Sequence, residues 1–135
     1  MVLRKTACLG VSAWLAVAFG ASLAVLEIVR NWGDWQWWPF WVVDYAAAAL
    51  LLGGGITALR KRGTGWLAAG WGFTCALFWG SFFGHYESVR EGILTEPNEK
   101  QLTLIIGIMF AITIGGLATT LVGVRPTADA GCENS

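Results

Sequence analysis

Four apolar stretches, separated by short polar breaks, take up almost the whole of this 135-residue chain. Each is about 20 residues long, the length that a helix rising about 1.5 Å per residue needs to cross a hydrocarbon layer of about 30 Å. Lipid offers no hydrogen-bond partner to a bare backbone, so such segments must be helical, and they are too few and too long for a barrel. The sequence therefore predicts an all-α fold, an integral membrane bundle of four transmembrane helices.

The composition argues against an ordinary water-soluble domain. Hydrophobic residues make up 56% of the chain and charged residues 13%, and this charged share is about half of the usual one. A chain this short leaves much of its surface exposed, so lipid has to cover the apolar part. Nine positive and nine negative side chains cancel, and no nucleic-acid partner is therefore expected.

The apolar runs also predict how the chain is divided. We expect residues 1–135 to form a single transmembrane domain, with spans at about 7–29, 38–59, 65–84 and 102–124. The third helix is expected to continue toward Arg90. Residues 126–135 are polar and carry small side chains, which indicates a disordered cytoplasmic tail.

The first span has some features of a cleaved signal peptide. It follows the basic pair Arg4 and Lys5 and contains the small-residue sequence Ala16-Val17-Ala18. Its apolar run, however, reaches Ile28, beyond the length of about 7–15 residues that a signal core usually has. A retained first helix is therefore the preferred interpretation.

The distribution of lysine and arginine predicts the orientation of the chain. Short loops on the cytoplasmic side of a membrane protein carry an excess of positive side chains. If the N-terminus is cytoplasmic, that side holds Arg4, Lys5, Arg60, Lys61, Arg62 and Arg125. The other side then holds Arg30, Arg90 and Lys100. The pattern predicts a multi-pass protein of a bacterial inner (plasma) membrane with both termini in the cytoplasm.

Small residues at four-residue spacing predict where helices approach closely. They occur on the first three spans, as Ala16, Gly20 and Ala24, as Ala49 and Gly53, and as Gly80 and Gly84. Helix pairs in lipid associate through such stripes because no hydrophobic force drives them together. Packing within the bundle is the preferred interpretation, and a dedicated dimer face is the alternative.

Ionisable residues at the outer ends of the first three spans form the candidate site. Asp44 is placed inside the apolar layer, where a charge is costly and therefore informative. The predicted outer polar cluster consists of Glu27, Arg30, Asp44, His85 and Glu87. The preferred interpretation is structural, in which Asp44 pairs with Arg30 and pins the outer ends of the first two helices together.

Two kinds of chemistry are open to this cluster. Carboxylates and an imidazole are ligands for several divalent metals, which makes Glu27, Asp44 and His85 weak candidates for a metal site. Alternatively, Asp44 and His85 form a proton-linked binding site, because imidazole changes its charge near neutral pH. No other cofactor is predicted.

Polar residues outside the cluster are expected to be structural. The stretch from Glu87 to Glu99 resembles a solvated connection that ends in a helix start, with Asn98 as the expected N-cap of the fourth helix. The three cysteines are far apart and form no CxxC pair, so no disulfide framework is expected from Cys8, Cys75 and Cys132.

The sequence favours a role without catalysis. A single histidine excludes a bis-histidine haem within one chain, and no P-loop, GxSxG or HExxH motif occurs. The preferred function is an accessory or structural membrane subunit that acts through helix contacts, with the bilayer around it and a membrane protein or a second copy as its partner. The alternative is a small-molecule or ion binding or transport protein that uses the outer polar cluster. A metal- or redox-dependent membrane enzyme at the same cluster is the third.

Overall fold

Four long helices make up the structure. A computed structural model describes residues 2–30, 32–33, 38–92 and 98–124, with the side chains of all of these except 2–5 and 38–40. The helices are α1 (Val2–Arg30), α2 (Trp38–Leu59), α3 (Gly65–Glu91) and α4 (Glu99–Val124). Each is long and apolar enough to cross a membrane. The predicted all-α architecture is confirmed at this level, and the predicted tail lies outside the described residues.

Three of the helices are longer than hydropathy predicted. The backbone of α1 is helical from Val2, α3 continues to Glu91, and α4 begins at Glu99. The expected continuation of the third helix toward Arg90 and the helix start expected after Asn98 are confirmed, whereas the solvated character predicted for the stretch from Glu87 to Glu99 is wrong at Glu99. Residues up to Glu91 are helical, and Glu99 is only 2% exposed. Hydropathy falls where charges begin, whereas helical hydrogen bonding continues past that point until a residue such as Gly92 ends it.

Left-handed residues reverse the chain at two places. Gly92 ends α3 with φ +72°, and its N–H donates to the carbonyl of Val89. In the short turn between α2 and α3, Lys61 has φ +55° and Gly63 has φ +136°. Glycine takes this conformation without steric cost, which explains its place in both reversals.

The helices form an antiparallel ring in sequence order. α1 contacts α2 and α4, and α3 contacts the same two helices. Across the diagonal, Phe19 of α1 meets Trp71 and Phe78 of α3, with ring centroids 5.9 and 5.8 Å apart. These aromatic rings fill the centre of the bundle, while alanines on α1 and α2 allow the helix backbones to approach.

The two ends of the bundle differ in charge. The basic end contains the start of α1, the α2–α3 turn and the end of α4, and its turn carries Arg60, Lys61 and Arg62. The acidic end contains the ends of α1 and α3 and the starts of α2 and α4. Its described charged residues are Glu27, Arg30, Glu87, Arg90, Glu91, Glu99 and Lys100.

Glycines set the distances between neighbouring helices. A Cβ atom on Gly54 would lie 2.7 Å from the Leu67 Cα atom, and one on Gly70 would lie 2.9 Å from the Leu50 carbonyl oxygen. On the α1 side, a Cβ on Gly55 would lie 2.8 Å from the carbonyl oxygen of Ala13. These approaches are tighter than any side chain allows, so α2 packs by its backbone against both neighbours.

The predicted small-residue stripes have mixed outcomes. On α1 the prediction is confirmed, because Ala16 and Gly20 are buried against the bundle. On α2 it is wrong by one residue, since Gly53 faces outward and Gly54 and Gly55 make the contacts. On α3 it is wrong as well, because Gly80 and Gly84 are exposed and a Cβ at either would touch nothing.

The outside of the bundle is apolar on every helix. Large exposed side chains include Val11, Trp14, Val25, Ile56, Trp66, Trp79, Leu104, Ile108 and Leu121. Within the most apolar window of each helix, between 22% and 33% of the residues are buried inside the bundle. Most of the apolar surface therefore faces outward, as is typical of a bundle whose solvent is lipid.

Candidate functional site

His85 and Glu99 form a salt bridge between α3 and α4 at the acidic end. The His85 Nδ1 atom lies 2.5 Å from the Glu99 Oε1 atom. The Glu99 side chain is 1% exposed, and the His85 side chain is 27% exposed. One partner is thus enclosed by protein, while the other reaches the surface. The predicted outer polar cluster includes His85, but Glu99 was not predicted as its partner.

Local structure at the start of α4 places Glu99 on the inner face. The carbonyl of Asn98 accepts the N–H of Leu102, and the Thr103 hydroxyl donates to the Glu99 carbonyl at 2.8 Å. Glu99 thereby occupies the first turn of α4, where the positive end of the helix dipole favours a carboxylate. Buried residues of α4 recur at helical spacing from Glu99 through Thr103 and Ile106, which puts Glu99 on the face that packs against the bundle.

Aromatic rings form one wall beside the pair. Phe82 stacks with Tyr86 and with Phe110, at centroid separations of 6.0 and 6.1 Å. Gly107 leaves room for the Phe82 ring, since a Cβ there would lie 2.9 Å from a ring carbon. Toward the middle of the bundle the surroundings of His85 and Glu99 are therefore apolar, and polar groups lie toward the acidic end.

The remaining members of the predicted cluster lie mainly between α1 and α2. Asp44 is half-buried on α2, within electrostatic range of both Glu27 and Arg30 of α1. This part of the cluster is therefore brought together. Glu87 is exposed on α3.

Asp44 and His85 lie at different heights. Gly54 lies beside Leu67 and Gly70 lies beside Leu50, which fixes the antiparallel register of α2 and α3. Continuing that register toward the acidic end puts Asp44 level with about residue 77, and His85 is then roughly 12 Å farther along the bundle. The described residues contain no group of three His, Cys, Asp or Glu side chains that could hold a metal ion.

A second buried polar group links three helices nearer the basic end. The Trp71 indole N–H donates to the Ser12 hydroxyl oxygen at 3.0 Å, and the Ser12 and Thr120 hydroxyl oxygens are 2.6 Å apart. Thr120 and Ser12 each have the Gly116 carbonyl as a further acceptor, at 2.8 and 3.1 Å. We call Ser12, Trp71, Gly116 and Thr120 the polar junction. It satisfies its own donors in an apolar interior and therefore fixes α1, α3 and α4 in register.

Three polar arrangements thus offer different chemistry. The His85–Glu99 pair can gain or lose a proton, and the group of Asp44, Glu27 and Arg30 can attract a charged ligand. The polar junction is saturated by its own hydrogen bonds and stabilises packing. No protein-family model, curated protein or solved structure matches this chain.

Proposed function

We propose that the chain is a small multi-pass protein of a bacterial plasma membrane with both termini in the cytoplasm. Four helices of spanning length and an apolar exterior support insertion. The Arg60-Lys61-Arg62 turn, the start of α1 and the end of α4 share the basic end, which supports this orientation. The positive-inside rule then favours a cytoplasmic basic end.

Its proposed role is that of a structural or accessory subunit that acts through helix contacts. The outward face of α3 carries this proposal, because Gly80 and Gly84 lie there with open Cβ positions. Trp79 and Phe83 flank them and pack on each other with centroids 4.6 Å apart. A glycine inside a helix costs roughly 0.5–1 kcal/mol relative to alanine, and packing within this bundle does not use these two.

The occupant that fits this face is α3 of a second copy. Copies inserted in the same orientation present the same glycine pair, and a two-fold axis brings the two pairs together. Glycines four residues apart let two transmembrane backbones cross closely. The bulky rings of Trp79 and Phe83 would line the edges of that crossing.

Leucines at Gly80 and Gly84 should separate the copies without unfolding the bundle. Two differently tagged copies, co-expressed and extracted in mild detergent, are expected to co-purify. In the double variant Gly80→Leu and Gly84→Leu, the amount of the second tagged copy that co-purifies should fall about tenfold or more. This corresponds to a loss of about 1.4 kcal/mol in the free energy of association. Circular dichroism and thermal unfolding of the variant should stay close to wild type.

The matched control for this experiment is Gly115→Leu on α4. Gly115 is also exposed, and a Cβ there meets nothing within 4 Å. Co-purification should be as strong in this variant as in wild type. Wild-type copies that fail to co-purify, or a control that behaves like the α3 variant, would overturn the proposal.

A second candidate function is the binding of a small cation at Asp44. One observation favours it: Asp44 and Glu27 bring two carboxylates together across α1 and α2, with Arg30 also within electrostatic range. A half-buried carboxylate inside an apolar span is costly, and such residues often mark ligand or ion pathways. This function and the structural role can coexist, because they use different faces of the bundle.

Asp44→Asn should abolish cation-dependent stabilisation. Sodium, magnesium and tetramethylammonium chlorides would be compared at constant ionic strength by thermal unfolding of the purified protein. A ligand at about 100 times its Kd stabilises the folded state by about 2.7 kcal/mol, so one of the three should raise the wild-type Tm. Asp44→Asn should remove the increase, and Glu87→Gln, at an exposed carboxylate, should retain it. An increase of the same size in Asp44→Asn would contradict binding at this position.

A further inference from the structure

The His85–Glu99 pair is enclosed on one side and open on the other, which limits what can bind to it. Glu99 is 2% exposed, and its Oε1 atom is already 2.5 Å from the His85 Nδ1 atom. No metal ion or organic cation fits between two atoms at that separation. A proton is small enough to bind there, and it can reach the pair through the exposed part of the His85 side chain.

We propose that His85 and Glu99 form a proton-binding site that holds α3 and α4 together at the acidic end. The Nδ1–H of His85 donates to the Glu99 carboxylate. A proton from the aqueous phase adds to the lone pair of the His85 Nε2 atom, forms an N–H bond there and makes the ring an imidazolium. The pair is then neutral overall. Release of the same proton returns a neutral imidazole and leaves the carboxylate without the positive charge that faced it.

The charge state of the pair should therefore control the helix contact. Burial of a carboxylate is costly unless a positive partner and hydrogen bonds compensate it. When His85 loses its proton, the positive charge 2.5 Å from the Glu99 carboxylate is lost, and the contact between α3 and α4 at the acidic end should weaken. Gly92, with φ +72°, ends α3 at the same end of the bundle as this pair.

Other titratable or charged side chains lie at or near this end of every helix. They are Tyr86, Glu87, Arg90 and Glu91 on α3, Lys100 on α4, Glu27 and Arg30 on α1, and Asp44, deeper in the bundle, on α2. Glu96 lies outside the described residues. Substitution of Glu99 removes the buried carboxylate and leaves these neighbours in place, so it separates the effect of that carboxylate from theirs.

The single histidine of the chain makes the experiment direct. Protein labelled with nitrogen-15 histidine and reconstituted in nanodiscs gives one imidazole, whose signals report its protonation and tautomer as the pH is changed. Hydrogen–deuterium exchange on the same samples measures opening at 88–92 and 98–103. Protection factors, corrected for the intrinsic pH dependence of exchange, are expected to fall about tenfold or more in wild type over the pH range in which the imidazole loses its charge.

Three variants separate the proton site from a merely structural contact. Glu99→Gln keeps the shape and removes the charge, so protection at 88–92 and 98–103 should no longer depend on the charge of His85. His85→Gln cannot bind a proton and should behave in the same way. Glu87→Gln, the control at an exposed carboxylate of the same end, should keep the wild-type dependence.

Two results would overturn the proposal. One is a wild-type protein whose protection stays constant while the nitrogen-15 signals show the imidazole changing charge. The other is a pH-dependent opening that persists in Glu99→Gln. The outcome does not depend on the proposed association of copies, because that is measured at Gly80 and Gly84 on a different face.

Discussion

Leucine at Gly54 should drive α2 and α3 apart and destabilise the bundle by about 3 kcal/mol or more, the upper part of the range for overpacked interiors. The Cβ atom alone would lie 2.7 Å from the Leu67 Cα atom and from the Trp66 carbonyl oxygen. Both are backbone atoms of α3, so no change of rotamer relieves the clash. Gly54→Ala should show the same effect in weaker form, since it introduces the Cβ without the rest of the side chain.

The neighbouring Gly53 supplies the control. It belongs to the same helix and the same run of three glycines, but a Cβ there meets nothing within 4 Å. Gly53→Leu should therefore leave the free energy of unfolding within about 1 kcal/mol of wild type, with the gain in helix propensity acting to stabilise. Unfolding by SDS in mixed micelles would measure both variants. Equal effects at the two positions would show that α2 and α3 do not meet at Gly54.

The helices themselves were predictable because their lengths and apolarity follow from the thickness of a bilayer. The α2 boundaries, Trp38–Leu59, were predicted to the residue. The end of α3 was harder to predict, because Glu87 and Glu91 interrupt the hydropathy without interrupting the helix. Hydropathy reports where a segment leaves an apolar layer, whereas Gly92 and its left-handed φ of +72° decide where this helix stops.

The direction in which each residue points was less predictable than the helices. Each helix is apolar nearly all round, so hydrophobic periodicity distinguishes its faces poorly. Gly53 and Gly54 differ by about 100° around the helix axis, and nothing in a run of glycines tells which one faces α3. The sequence also gave no reason to expect Gly80 and Gly84 on the outward face of α3. Their orientation is decided by the way in which α3 packs against the other helices.

The candidate site was also predicted only in part. Asp44, Glu27 and Arg30 were expected together, and the contact of α1 with α2 brings them within electrostatic range. The partner of His85 was missed because Glu99 follows a polar stretch and was assigned to it. The arrangement of the polar junction was also missed, since Ser12 and Thr120 are separated by 108 positions and meet through the antiparallel packing of α1 and α4.

Alanine at Trp71 should have the other large effect, a destabilisation of about 3–5 kcal/mol, the usual cost of removing a buried aromatic side chain. Trp71 is 0% exposed and occupies the space between Phe19 of α1 and Gly116 of α4. Its loss removes the apolar contacts of the ring and also the N–H that donates to Ser12. Trp66→Ala is the control, because Trp66 lies on the same helix and is 65% exposed.

A substitution at Gly116 tests the contact between the Trp71 ring of α3 and the α4 backbone. A Cβ on Gly116 would overlap the Trp71 indole ring, so Gly116→Ala should destabilise the wild-type bundle. In the Trp71→Ala background the ring is absent and the space is open, so the same substitution should cost little or should stabilise by filling the cavity. The two single variants and the double variant form a cycle, in which a coupling of about 1–3 kcal/mol is expected for groups in direct contact. Additive effects would mean that α3 and α4 do not meet through this ring, and the register that the polar junction imposes on α1, α3 and α4 would then be wrong.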